Sequence, residues 1–99
     1  MKTEKLILIQ EIEKHYELET SFFANIESFD LLEIQTISNQ KYLHKKQLKS
    51  FEKILRLHQD LAINFEGIDA IFNLMERMDQ MEKKLAQYKS YLNLYSNEQ

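Results

Sequence analysis

The spacing of apolar residues in the first third of the chain predicts one short strand and two short helices. Leu6 to Ile9 is an aliphatic run of the length of a small strand. Ile9, Ile12 and Tyr16 then recur at helical spacing, and a second helical row follows, made of Leu18, Phe22, Phe23, Ile26 and Phe29. The two rows predict two amphipathic helices joined by a turn near Glu17, which is the arrangement of a helix-turn-helix.

After these helices the pattern changes to a period of two. Leu32 to Ile37 alternates apolar and polar residues, Ser38-Asn39-Gln40 has the composition of a turn, and Lys41 to Leu43 can form a returning strand. These segments predict a small β-hairpin, or wing. A third amphipathic helix follows, with an apolar row made of Leu48, Phe51, Ile54, Leu55, His58 and Leu61.

The last third of the chain predicts one long helix. Asn64 can cap its start, because the side-chain oxygen can accept a hydrogen bond from the backbone N–H of Gly67. No proline and no further glycine follows, so a helix from Phe65 to about Tyr95 would extend roughly 46 Å. Since a globule of this size has a radius of gyration of about 13 Å, we expect the far end to project beyond its own domain.

The long helix carries a heptad pattern of apolar residues at alternating spacings of three and four. Burial of each such side chain is worth roughly 1.5 to 3 kcal/mol, which favours a partner helix over solvent exposure. A second copy is the default partner, as a coiled-coil homodimer, and the charges beside the row do not decide strand direction. The alternative is packing of one stripe on the chain's own core. The predicted dimer interface is Ile71, Leu74, Met78, Met81, Leu85, Tyr88, Leu92 and Tyr95.

The size and composition of the chain fit one compact domain, residues 1–99, with a winged part over 1–62 and the long helix over 64–96. The absence of cysteine excludes disulfides, thiolate catalysis and cysteine zinc sites. The histidines, His15, His44 and His58, lack ligand spacing, so no metal is expected. No nucleophile elbow or glycine-rich phosphate loop occurs, which predicts no enzyme activity and no cofactor.

No stretch of the sequence is typical of a membrane span or of a cleaved signal. The longest apolar runs are far shorter than the about 18 residues that a spanning helix needs. The basic and then apolar start is interrupted by Gln10 and Glu11, and no small-residue cleavage site follows. We therefore expect an intracellular, cytoplasmic protein.

Charge divides the chain into three parts. Residues 1–40 hold three basic and eight acidic residues, 41–58 hold six basic and one acidic, and 59–99 hold four basic and seven acidic. The basic middle contains a stripe that can contact phosphates but has no aromatic or amide partners for reading bases: Lys45, Lys49, Lys53 and Arg56. Two groups of acidic residues form candidate outward surfaces. One is Glu66, Asp69, Glu76 and Asp79 on the long helix, and the other is Glu11, Glu13, Glu17 and Glu19.

Residues 6–95 resemble MerR-type winged helix-turn-helix domains, and within that group the CbpM chaperone-modulator family most. The resemblance is carried by Ile9 to Leu18, by Phe23, Glu27 and Leu31-Leu32, by Tyr42 to Leu48, and by Arg56 to Ile68 with Leu74-Met75-Glu76 and Leu85. It implies a mainly α fold with a small wing and a long C-terminal helix. It also implies binding to the J-domain of a CbpA/DnaJ-type co-chaperone, which prevents that domain from stimulating DnaK.

The J-domain surface that meets DnaK is basic in that family, so complementary acids would attract it. Glu66, Asp69, Glu76 and Asp79 are the predicted contacts.

The chain departs from DNA-binding MerR relatives at the residues that DNA binding needs. Ala24 and Asn25 stand where those relatives carry arginine and tyrosine, and Glu17 and Asp30 replace glycines. The second helix, predicted over 19–30, contains no lysine or arginine, so its acids would repel a duplex. A MerR-type transcription regulator is therefore the alternative function, and a purely structural coiled-coil adaptor is the third.

Overall fold

The computed structural model describes residues 5–97, which form four helices and three short strands. The strands are β1 (Leu6–Leu8), β2 (Ile34–Ile37) and β3 (Gln40–His44), and the helices are α1 (Ile9–His15), α2 (Thr20–Ser28), α3 (Leu48–Gln59) and α4 (Phe65–Asn97). One 3₁₀ turn, Lys45–Gln47, precedes α3. The predicted mainly α fold and the predicted order of elements are confirmed. The first strand is one residue shorter than expected, because Ile9 already begins α1.

The sheet has three antiparallel strands in the order β1-β3-β2. The predicted hairpin is present, with Ile34 opposite Leu43, and β1 pairs with the other edge of β3, with Leu6 opposite His44. A two-stranded hairpin alone is marginal in water, so the added strand stabilises the wing. It also makes β3 the central strand, and Leu43 is completely buried.

The hairpin loop has the geometry of a two-residue turn. Ser38 and Asn39 have φ values of 51° and 67°, and positive φ at both central residues is what a type I′ hairpin turn requires. Asparagine tolerates this region better than most residues. The turn predicted from Ser38-Asn39-Gln40 is confirmed, with Gln40 already in β3.

Positive φ also marks the ends of α1 and α2. Glu17 has a φ of 54° and Asp30 a φ of 53°. The N–H of the following residue bonds back into each helix, Leu18 to the carbonyl of Glu13 at 2.8 Å and Leu31 to Ile26 at 3.0 Å. These are the bonds of the Schellman motif, which usually carries glycine at the left-handed position. The chain therefore has a left-handed backbone, which glycine usually adopts, at Glu17 and Asp30.

The core is built from the apolar rows of α1, α2 and α3, with contributions from the sheet and the start of α4. Phe51 and Ile54 of α3 are completely buried, and Phe51 stacks on Phe23 at a centroid distance of 5.4 Å. The other buried apolar residues are Ile9, Ile12, Phe22, Ile26, Leu32, Leu43, Phe65 and Ile68. The helical periods read from the sequence therefore identify the buried faces of α1, α2 and α3. Leu61 is the exception, because α3 ends at Gln59 and the side chain of Leu61 is 62% exposed.

The start of α4 is capped as predicted. The N–H of Gly67 donates to Asn64 Oδ1 at 2.8 Å. A Cβ on Gly67 would lie 2.7 Å from Ile63 Cγ2 and 3.1 Å from Asn64 Oδ1, so the glycine permits a close approach of the capping segment. No helix within residues 5–97 is both long and apolar enough to cross a membrane.

Residue contacts divide the chain into two compact units. The first unit extends to Asp69 and the second begins at Ala70, so the division falls inside α4.

Candidate functional site

The exposed side of α2 is the surface at which a helix-turn-helix protein would read DNA. Its apolar residues, Phe22, Phe23 and Ile26, are buried in the core. Five residues of α2 are left exposed. Three carry hydroxyl groups, and the other two are an alanine and a glutamate: Thr20, Ser21, Ser28, Ala24 and Glu27. The only charge that this face of α2 presents is negative, so it supplies no cation for a phosphate.

An ion pair joins α2 to the wing. Lys41 Nζ of β3 lies 2.6 Å from Glu27 Oε1, and both side chains are partly exposed. Exposed pairs of this kind contribute at most about 1 kcal/mol, so the pair matters for charge more than for stability. It neutralises a lysine that the sequence assigns to the basic part of the chain. A contact between residues 14 positions apart had no signal in the sequence.

Four carboxylates line three neighbouring cavities along α1 and α2. A cavity of about 270 Å³ between α1, α2 and the hairpin loop has Glu13 and Glu27 in its wall. A second of about 590 Å³ has Glu17 and Glu19. A shallow third depression joins them, because both Glu13 and Glu17 line it. We call this surface the acidic face, defined by Glu13, Glu17, Glu19 and Glu27.

The acidic face contains three of the four residues of one predicted acidic surface, and their role as a partner contact stays a prediction. Glu13, Glu17 and Glu19 belong to it, whereas Glu11 lines none of these three cavities. Sequence reasoning missed Glu27, which lies on α2 and reaches the surface only because the opposite side of that helix is buried. Phe23 and Glu27 line the same cavity, but their spacing of four residues in the sequence does not predict that cavity.

The other predicted acidic surface is divided between the two units. In the first unit Glu66 is exposed and Asp69 is half-buried, and in the second Glu76 and Asp79 are exposed. Asp79 Oδ2 lies 3.2 Å from Lys83 Nζ, one helical turn further on. Their role as partner contacts stays a prediction.

The basic stripe is partly assembled on one helix. Lys49, Lys53 and Arg56 of α3 line one shallow cavity of about 340 Å³, and the carboxylate-bearing Glu52 lines it too. Lys45 lies on the 3₁₀ turn before α3. Glu52 adds one acid among these cations, and the role of the stripe as a phosphate contact stays a prediction.

The heptad row of α4 is exposed in the single chain. Ile71 is half-buried, and the other seven predicted interface residues are each more than half exposed: Leu74, Met78, Met81, Leu85, Tyr88, Leu92 and Tyr95. Beside the row, the hydroxyl of Tyr91 bonds the hydroxyl of Tyr95 at 2.9 Å, and this bond raises the pKa of Tyr91 above its usual value. These exposed apolar side chains recur along α4 from Leu74 to Tyr95.

Each histidine has a separate contact. His44 Nδ1 accepts from the N–H of Lys46 at 3.0 Å and caps the 3₁₀ turn, and the ring of His15 lies edge-on to Tyr16. The half-buried His58 has its Nδ1 3.0 Å from the carbonyl oxygen of Ile63. Among residues 5–97 no three histidine or carboxylate side chains are grouped as metal ligands.

Comparison with known proteins identifies one family. The sequence profile of the MerR HTH family regulatory protein matches residues 7–90, which extends from β1 into the later turns of α4. Neither the curated proteins nor the solved structures contain a match to this chain.

Proposed function

The chain belongs to the MerR HTH family of regulatory proteins, and we propose that it is a non-enzymatic regulator that acts on a protein. Its proposed partner is the J-domain of a CbpA/DnaJ-type co-chaperone, which it would occupy and so keep from stimulating DnaK. The partner comes from the resemblance of residues 56–68, 74–76 and 85 to the CbpM chaperone-modulator family. The observation that carries the proposal is the charge of the acidic face.

The acidic face disfavours DNA and favours a basic protein surface. A recognition helix needs cations for phosphates and long donors for base edges. On α2 the exposed charge is Glu27, and the nearby lysine of the wing, Lys41, is already paired with it. The other carboxylates of the acidic face follow α1 and the turn, and Lys14 lies beside Glu13 and Glu17 in the third depression, so acids outnumber bases there. Opposite charge would steer a basic partner to it, and like charge would repel a duplex.

In this proposal the protein forms a homodimer through the heptad row of α4. Seven of the eight predicted interface residues are more than half exposed in one chain, so a second copy has a continuous apolar surface to cover. Burial of each of these side chains would contribute roughly 1.5 to 3 kcal/mol. A coiled coil between two copies of α4 would bury this row, because both copies supply the same apolar pattern.

The test is a calorimetric titration of an isolated CbpA-type J-domain into the full chain at physiological salt. We expect saturable binding that is lost when the basic surface of the J-domain is neutralised. We also expect the chain to lower the stimulation of DnaK ATPase by the co-chaperone. No heat at high micromolar concentrations would contradict the proposal.

Matched variants would locate the contact. Glu17→Gln with Glu19→Gln should weaken binding if the acidic face is used, and Glu76→Gln with Asp79→Asn should weaken it if the surface on the long helix is used. Glu33→Gln with Glu52→Gln is the control, because it removes the same charge elsewhere on the exposed surface. Equal weakening by all three pairs would indicate a general charge effect and no defined contact.

The alternative function is a DNA-binding regulator, and it rests on the basic stripe of Lys45, Lys49, Lys53 and Arg56. Phosphate contacts from this stripe would give an affinity that falls steeply between low and moderate salt. Substitution of Lys49 and Lys53 by glutamate would abolish that binding. A chain that binds DNA in this way and gives no heat with the J-domain would replace the proposed function by the alternative.

A further inference from the structure

One cavity of the first unit combines an aromatic floor with an acidic edge. It lies between the turn after α1, helices α2 and α3, and the start of α4, and it encloses about 590 Å³. Its wall includes the aromatic rings of Phe22, His58 and Phe65 and the carboxylates of Glu17 and Glu19. We call it the aromatic cavity.

The floor of the aromatic cavity is a cluster of three rings in mutual contact. The ring centroids of Phe22 and Phe65 are 5.4 Å apart and those of His58 and Phe65 are 4.6 Å apart. Phe22 and Phe65 are buried in the core, so core packing holds the floor in place. A rigid aromatic surface of this kind attracts a cation and also packs against the methylene groups of a long side chain.

The charged groups of the wall are both carboxylates, and its other polar side chains, Ser21, Asn25 and Gln59, can accept as well as donate hydrogen bonds. Glu17 and Glu19 are exposed at the edge, and Asn25 adds an amide oxygen. His58 Nδ1 donates to the carbonyl of Ile63, which holds the ring in the wall of the cavity. The other three cavities compared each include a lysine or arginine in the wall, and the aromatic cavity includes none.

From this combination we infer that the aromatic cavity binds one lysine or arginine side chain of the protein partner. The methylene stem lies on the rings of Phe22 and Phe65, and the charged group reaches the carboxylates of Glu17 and Glu19. An arginine fits best, because its planar guanidinium both stacks on aromatic rings and pairs with carboxylates. The inference rests on the proposed function for the identity of the partner, and on the cavity alone for the chemistry of the ligand.

The first arm of the test needs no protein partner. Amide chemical shifts of the full chain are followed by NMR as acetyl-Gly-Arg-Gly-amide is added at millimolar concentration, with the neutral citrulline peptide as the matched control. We expect the amides of Ser21, Asn25 and Gln59, all in the cavity wall, to shift with the arginine peptide and not with citrulline. Equal shifts with both peptides, or none at these residues, would overturn the inference.

The second arm blocks the cavity and measures J-domain affinity by calorimetry. Ser21→Phe adds an uncharged ring at the cavity wall, and Ser28→Phe adds the same ring at an exposed position of α2 outside the cavity wall. We expect Ser21→Phe to weaken binding at least tenfold and Ser28→Phe to leave it within twofold. Circular dichroism shows whether both variants keep the fold.

The two arms separate the two ideas. A wild-type chain that fails to bind the J-domain while its cavity binds the arginine peptide would sink the proposed function and leave the cavity assignment in place. A wild-type chain that binds the J-domain equally well with either serine variant would keep the function and overturn the cavity as the contact.

Discussion

The two units of this chain treat their apolar residues in opposite ways. In the first unit the apolar rows of three helices are buried together, and Ile26, Phe51, Ile54 and Ile68 have no exposed surface. In the second unit the apolar row of α4 is exposed from Leu74 to Tyr95. The same helical periodicity therefore produces a finished core in one unit and an open surface in the other. Periodicity identifies an apolar face, but neighbouring elements decide whether the chain itself covers it.

The largest expected effect comes from breaking the open surface of the second unit. Leu85→Asp with Leu92→Asp should convert the proposed dimer to a monomer in light scattering, because burial of each leucine contributes roughly 1.5 to 3 kcal/mol and a buried aspartate adds a further cost. Gln80→Asp with Gln87→Asp is the matched control, since it adds the same charges to α4 outside the heptad row. An unchanged dimer in the leucine variant would rule out the coiled-coil assignment.

The next effect tests the finished core of the first unit. Phe51→Ala should lower the free energy of unfolding by about 3 to 5 kcal/mol, because the ring is completely buried and stacked on Phe23. Met81→Ala, at a side chain that is 68% exposed, is the comparison. Met81→Ala should change the free energy of unfolding by less than about 0.5 kcal/mol. Both variants are measured by denaturant unfolding at protein concentrations below the dissociation constant of the proposed dimer. Similar losses in both variants would mean that the units are not as different as the exposure indicates.

The smallest effect concerns the residue that caps α4. Asn64→Ala should cost about 1 kcal/mol of stability in denaturant unfolding, since the hydrogen bond to the N–H of Gly67 is lost. Asn73→Ala, in the interior of the same helix, should be neutral or slightly stabilising, because alanine is the better helix former. If both substitutions behaved alike, the 2.8 Å contact would contribute nothing to the start of the helix.

Only part of the acidic face could be predicted from the sequence. Glu13, Glu17 and Glu19 are close in the chain, so their grouping was predictable from their positions. Glu27 joins them because α2 packs beside α1 and both helices line one cavity. Its pairing with Lys41 depends on the position of the hairpin against α2. Such contacts cannot be read from spacing, since they depend on how separate elements pack.

Features that depend on neighbouring residues follow from the order of residues alone. The helical rows of α1 to α4, the turn at Ser38 and Asn39, and the cap at Asn64 all arise from interactions over a few positions, for which residue type and spacing are sufficient. The heptad row belongs to this class as a pattern.

Contacts between distant parts of the chain depend on tertiary packing. The pairing of β1 with β3 aligns Leu6 with His44, and it turned a predicted hairpin into a three-stranded sheet. The aromatic cavity needs rings from α2, α3 and α4 to meet. The physical reason is that a strand edge or an aromatic face can pair with many partners of similar chemistry. The packing of the first unit selects among them, because the observed arrangement buries the apolar rows of α1, α2 and α3 together.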